Sequence, residues 1–121
     1  MPDTTLRHLA TRAHNNARQK GFHDDGLTDS QFMERHCGLL HEEVSELFSA
    51  VRQGHLFSPC DKAPKMVDIG LPSLNCAEEE LADIIIRALD ISQRLGLDIE
   101  RAVLAKMAYN ETRPYKHGKE F

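Results

Sequence analysis

Two acidic runs carry the residue types from which a hard-metal site is built: Glu42-Glu43-Val44-Ser45-Glu46, and Glu78-Glu79-Glu80-Leu81-Ala82-Asp83. Carboxylates three or four apart on a helix lie on one side of it and can reach a common point. Gathering them is costly, because each raises the pKa of its neighbours and opposes their ionisation. A divalent cation removes that penalty. Oxygen-only ligands favour Mg²⁺ or Mn²⁺ over Zn²⁺ or Cu²⁺, and Mg²⁺ commonly completes its octahedron with waters and substrate phosphates. The candidate metal ligands are therefore Glu42, Glu43, Glu46, Glu80 and Asp83. The bland alternative is that Glu42 and Glu46 are surface acids and that Asp83 merely pairs with Arg87 one turn later.

Four helices are expected to position these residues. The first spans about residues 4–19, with Leu6, Leu9, Ala10, Ala13 and Ala17 on one side and Gly21 as its stop. The second starts at Asp29 or Ser30 as cap and runs to Gln53. Residues 55–74 hold three prolines and one glycine and read as a long loop of the kind that often serves a site. The third starts at an Asn75 cap and stops at Gly96. The fourth starts at an Asp98 cap and stops before Pro114. Ile84-Ile85-Ile86 alone could be a strand, but its setting in a long run without Gly or Pro, opened by three glutamates, suits a helix.

Periodicity then assigns faces. On the second helix Met33, Cys37, Leu40, Val44, Leu47 and Val51 form the expected core stripe. The three glutamates fan from its edge along an arc shared with Phe32, Leu39 and Ala50, which is not where a solvated charge run belongs. The third helix is apolar over most of its circumference, leaving a narrow polar seam of Glu80, Asp83, Arg87, Asp90 and Arg94, with Glu79 on its border. On the fourth helix the line of Ile99, Ala102 and Val103 continues into Lys106, Asn110 and Arg113. At i, i+4 and i+7 these three can touch one extended anion, Lys as a point charge, Arg as a fork and Asn as a neutral partner. Lys116 and Lys119 add charge in the tail. The alternative is that this helix leaves the bundle here and its polar residues meet water.

Composition narrows the remaining classes. At 121 residues with 40% hydrophobic content the chain builds one domain, residues 1–121, and with 6% aromatics and no Trp its core is aliphatic, which favours an all-α fold. A net charge of −4 gives no general attraction to nucleic acid or anionic lipid. The start of the chain has no leader-like pattern and no apolar run approaches a membrane span, so a cytoplasmic protein without nucleic-acid or membrane partners is expected. Cys37, Cys60 and Cys76 are odd in number and lack CxxC spacing; with His55 they match no common zinc site.

Taken in order, Glu42-Glu43-Val44-Ser45-Glu46, Glu80-Leu81-Ala82-Asp83 and Lys106-xxx-Asn110-xx-Arg113 resemble the EExxE, ExxD and phosphate-binding elements of the MazG-like all-α nucleoside triphosphate pyrophosphohydrolases. Together they cover about residues 30–119; the stretch between the acidic halves is long for that family. The resemblance implies a four-helix bundle-like fold completed as a homodimer or homotetramer. It implies Mg²⁺-dependent cleavage of a nucleoside triphosphate, a dNTP or non-standard NTP, between the α- and β-phosphates, giving a monophosphate and pyrophosphate in nucleotide-pool housekeeping. Glu43 is favoured as the general base, and Lys106, Asn110, Arg113 and Lys116 as the substrate-binding set. Phe32, His36 and Leu39, beside the acids, either border a base pocket or are ordinary packing. Phosphoribosyl-ATP pyrophosphohydrolase chemistry and a non-catalytic helical scaffold stand as alternatives. A di-iron bundle does not, since it needs Glu-x-x-His pairs and the sequence has none.

Overall fold

The computed structural model describes residues 4–119, and among them there is no strand. Residues 1–3 and 120–121, which include the start of the chain and the end of its basic tail, lie outside the described residues. The helices are α1 (Leu6–Gln19), α2 (Asp29–Arg52), α3 (Ala63–Asp68), α4 (Cys76–Arg94) and α5 (Ile99–Glu111), followed by a 3-10 turn at Tyr115–Gly118. The chain is all-α. No helix among the described residues is long and apolar enough to cross a membrane.

Local chemistry accounts for the boundaries. Thr5 caps α1 by accepting from the His8 N–H at 3.0 Å. Asn75 and Glu78 form a capping box on α4, and Asp98 caps α5 by accepting from Arg101. The cap of α2 is Thr28, not the expected Asp29 or Ser30. Thr28 has Gln31 three residues on, so the two satisfy each other's backbone N–H groups in a second capping box, at 3.2 and 3.0 Å. Nor is the connection over 55–74 a plain loop. It holds α3, opened by Pro64 in its first turn, and it is zipped back onto the start of α4 by Cys60 N–H to Leu74, Cys76 N–H to Ser58 and Ala77 N–H to Leu56, each at 2.9 Å.

The axis of the fold is α4, against which α1 and α2 both pack; α5 meets α1 and α4. Arg7 ties the start of α1 to the start of α5 through Asp98 at 3.1 Å and Glu100 at 2.8 Å. The way α2 and α4 face the interior differs from the periodicity reading. Phe32 and His36 are buried on α2, with Leu39 and Glu43 half-buried further along the same face, while Cys37, Val44 and Val51 of the expected core stripe are exposed. On α4 the polar seam points inward: Glu79 and Asp90 are buried, Glu80, Asp83, Arg87 and Arg94 half-buried, and Leu81, Ile85 and Ile86 about half-exposed.

A polar seam can face inward only if its charges are answered. At its C-terminal end they are. Arg94 donates to both oxygens of Asp25 at 3.1 Å and to the Leu27 carbonyl at 3.2 Å, and its guanidinium lies 4.1 Å from the Phe32 ring centroid. The pairing with Arg94 holds the Asp25 carboxyl down at about 2. Asp90 accepts from His14 at 2.9 Å and from His23 at 2.7 Å. His23, Phe32 and His36 continue as a stack, with centroids 5.5 and 3.9 Å apart.

Candidate metal centre and adjoining cleft

At the N-terminal end of the seam the charges are not balanced. One carboxylate oxygen each from Glu43, Glu46 and Glu80 lies within 4.8 Å of the other two. Unit charges that close repel by at least ~3 kcal/mol per pair at an effective dielectric of about 20. Arg87 answers one of them, donating to Glu43 Oε1 at 3.0 Å, rather than pairing with Asp83 on its own helix. Lys62, at the entry to α3, answers the buried Glu79, and that contact pushes Lys62 up to about 12. Five carboxylates, Glu43, Glu46, Glu79, Glu80 and Asp83, thus meet two paired cations, Arg87 and Lys62, an excess of three negative charges.

The protein's response is visible in its acidities. Burial, reinforced by the charge of Glu46, lifts Glu80 from the usual carboxylate range to about 7. Burial also raises Asp83, with Glu43 adding to the effect and Lys62 opposing it. Glu80 Oε2 is buried and has no hydrogen-bond partner among the described residues. An all-oxygen donor set, an excess of negative charge and an orphaned carboxylate oxygen fit a hard divalent cation.

The expected metal ligands are therefore only partly gathered. Glu43, Glu46 and Glu80 converge, and Asp83 is one turn further along α4 within their electrostatic reach. Glu42 is exposed and outside the convergent group. On α5, the Lys106 ammonium lies 4.8 Å and the Arg113 guanidinium 5.9 Å from the Tyr109 ring centroid, Asn110 Oδ1 is buried without a partner among the described residues, and Lys116 stands over Tyr115 in the 3-10 turn.

Beside the acids a cleft of about 620 Å³ opens between α1, the α1–α2 connection, α2 and α4. Glu43, Asp83 and Arg87 are part of its lining, and the remainder mixes apolar side chains such as Phe22, Leu39 and Ile86 with the charged Asp24, Asp25, Arg35 and Asp90 and with His36. No α5 residue lines it. Phe32 is fully buried behind His36 and is packing, not lining.

The seam also gathers residues that the sequence reading left unused, notably Arg87, Asp90, His14 and His23. Asp90, His14 and His23 have the composition of a transition-metal site. Arg94 argues against that use. Arginine can only donate, so His23 Nδ1, 3.0 Å from Arg94 Nη1, accepts, and the proton sits on Nε2, where it is donated to Asp90. A metal on Nε2 would move that proton to Nδ1, against the Arg94 N–H. The cluster is a hydrogen-bonded clamp between α1 and α4. The signal for it was the seam itself, whose 3-4-3-4 spacing demands partners on neighbouring helices.

No known family model, curated protein or solved structure matches this chain.

Proposed function

We propose that the chain is a Mg²⁺-dependent nucleoside triphosphate pyrophosphohydrolase of the MazG-like kind, cleaving a dNTP or non-standard NTP to the monophosphate and pyrophosphate. The observation that carries the reading is the unbalanced acidic end of the α4 seam, where Glu43, Glu46 and Glu80 converge beside Asp83. These are four of the five acids in the ordered motif set, and two of them, Glu43 and Asp83, line a cleft of ligand size.

Glu43, Glu46, Glu80 and Asp83 would hold the cation; Mn²⁺ is a chemically reasonable substitute. When bound, Mg²⁺ supplies positive charge for phosphate oxygens and makes water more acidic. Arg87 fixes Glu43 through Oε1, and with Glu46, Glu80 and Asp83 as the main holders of the cation, Glu43 Oε2 would take the proton from the attacking water, which makes Glu43 the proposed base. Lys106, Asn110, Arg113 and Lys116 are the proposed phosphate-binding set. Since none lines the cleft, they engage substrate if α5 closes over it or if a second copy brings its own α5 there.

Assembly as a homodimer or homotetramer belongs to the same proposal. The chain exposes 9302 Å², against about 6600 Å² expected of a compact 13.7 kDa monomer. The excess includes Val44, Phe48 and Val51 on the outer face of α2 and Leu81 and Ile85 on α4. Light scattering of the purified protein tests this, and a monodisperse monomer at micromolar concentration refutes it.

The enzymatic reading is tested by pyrophosphate release from a nucleotide panel with and without Mg²⁺. Folded protein that cleaves none of the panel overturns it. Glu46→Ala and Asp83→Ala should each abolish turnover while leaving the helical signal intact; activity retained in both removes the metal assignment.

A further inference from the structure

The clamp at the C-terminal end of the seam is built around a histidine whose two ring nitrogens are both engaged. His23 lies on the α1–α2 connection with 8% of its side chain exposed. Its Nε2 donates to Asp90 at 2.7 Å, and its Nδ1 accepts from Arg94 at 3.0 Å. That arrangement exists only for the neutral imidazole, because a charged ring carries a proton on each nitrogen. A second proton would have to enter at Nδ1, facing an arginine N–H and a like charge. His14, on the same Asp90 oxygen at 2.9 Å, is placed the other way round. Its Nδ1 is the donor in either state, so a second proton leaves that contact standing and turns it into an ion pair.

Arg94 is not free to step aside. It donates to both oxygens of Asp25 and to the Leu27 carbonyl, and it lies over the Phe32 ring. The other groups that face His23 come from each neighbouring element. From α4 there is Asp90; from α1, His14, with Arg18 at the solvent edge; from α2, Phe32 with His36 stacked behind it; and from the connection itself, Asp24 and Asp25. Asp90 and Asp25 favour a charged ring and Arg94 opposes it, so charge alone does not forbid protonation. Hydrogen bonding makes it disruptive. His23 Nδ1 and Asp25 Oδ2 share Arg94 Nη1, so a proton on Nδ1 sets His23 and Arg94 in competition for the Asp25 carboxylate.

We propose that His23 is a proton-operated latch on the α1–α2 connection. Neutral, it bridges Asp90 and Arg94 and holds the connection against α4. Doubly protonated, it gives up Arg94 and the connection loosens. The latch is therefore closed at neutral and alkaline pH and opens as pH falls through the range in which imidazoles take up a proton. Its effect reaches the cleft, because Phe22, Asp24 and Asp25, on either side of His23 in the chain, all line it. The device is independent of the hydrolase reading and of what the cleft binds.

The Leu27 amide is a built-in reporter, since it donates at 2.9 Å to Asp25 Oδ1, the oxygen that Arg94 Nη2 also holds. Hydrogen exchange of the wild-type protein between about pH 7.5 and 5.5 gives the first measurement. Protection of Leu27 should fall about tenfold, the equivalent of one hydrogen bond, while amides in the middle of α4 keep theirs. Nitrogen NMR of the imidazoles gives the second. His23 Nδ1 should be unprotonated at the upper pH and take up its proton over the same interval as Leu27 loses protection. His23→Gln, whose amide can still donate to Asp90 but takes up no proton, should remove the step, and His14→Gln should retain it.

A His23 that already carries a proton on Nδ1 at the upper pH, or that stays neutral to the lower one, overturns the proposal. So does Leu27 protection that is unchanged while His23 titrates, or a loss shared by the whole chain. A step that survives His23→Gln, or that disappears in His14→Gln, does the same. The two wild-type measurements decide the matter where a variant does not fold.

Discussion

Glu80→Gln is the perturbation that most directly weighs the acidic cluster. In the metal-free protein the Glu80 carboxyl titrates at about 7 rather than at its ordinary 4.5. A folded-state pKa above the unfolded value means that the protonated form stabilises the fold fully below pH 4.5, and that this stability is lost as pH rises through about 7. The whole shift corresponds to at most about 3 kcal/mol, and screening in a seam that water partly reaches reduces it to about 1–2 kcal/mol. Glutamine keeps the shape and removes the charge. At pH 8 in chelator, Glu80→Gln should therefore melt roughly 4–8 °C above wild type, and near pH 4.5 the difference should vanish. Saturating Mg²⁺ should reverse the order. A cation at one hundred times its dissociation constant adds about 2.7 kcal/mol to a protein that binds it, and the variant lacks a ligand. Thermal melts of both proteins at pH 4.5 and 8, with and without Mg²⁺, give the four numbers. A variant no more stable than wild type at pH 8 without metal refutes the repulsion argument, and equal Mg²⁺ stabilisation of both proteins refutes the ligand assignment.

Metal binding should also release protons, since Glu80 must ionise to coordinate: about half a proton per site at pH 7 and close to one at pH 6. Calorimetry in buffers of different ionisation enthalpy measures this, and zero release at pH 6 contradicts it. Arg94→Met removes hydrogen bonds to Asp25, His23 and Leu27 and the contact with Phe32, and should destabilise the fold by about 2–3 kcal/mol in denaturant titration. A change below about 0.5 kcal/mol would show that the clamp is dispensable. Arg113→Ala should lower kcat/KM by roughly 10- to 100-fold if Arg113 grips phosphate; unchanged steady-state kinetics would remove α5 from the substrate site.

The helix boundaries were legible where a single residue decides them: the glycine stop after α1, the Asn75 cap and the Asp98 cap. Thr28 was legible too, through its spacing to Gln31, a stronger signal than the cap preferences of Asp29 and Ser30 on their own. In α3 the clue was Pro64, which marks a helix start as readily as a loop. The inward face of α2 was harder. Counting apolar residues selects Cys37, Val44 and Val51, but that rule assumes that the widest apolar stripe meets the chain's own core. The face that turned inward was chosen by complementarity: Phe32 and His36 meet His23 and Arg94, and Glu43 meets Arg87. Complementarity between helices cannot be read until it is known which helices touch. For the same reason Glu43, Glu46, Glu80 and Asp83 could be nominated by spacing, while His14 and His23 could not.

The seam of α4 provides its own control for the functional reading. Glu80, Asp83, Arg87, Asp90 and Arg94 follow one another at the same spacing on one face of one helix, so their local structure is equivalent and only their partners differ. Asp90 and Arg94 are hydrogen-bonded to groups of α1 and the α1–α2 connection, and the result is a closed network of paired donors and acceptors. Arg87 is the crossover, with its Nη2 on Glu43 and its Nε buried and unpaired among the described residues. At Glu80 and Asp83 the neighbouring helix brings further acids in place of bases, and the protein compensates by raising pKa values. A fold selected for stability alone could have continued the matched pattern by one more turn, with a Lys or Arg at position 46 in place of Glu46. The mismatch at one end of an otherwise matched seam is the part of this structure that stability does not explain, and the cation proposed above would answer it.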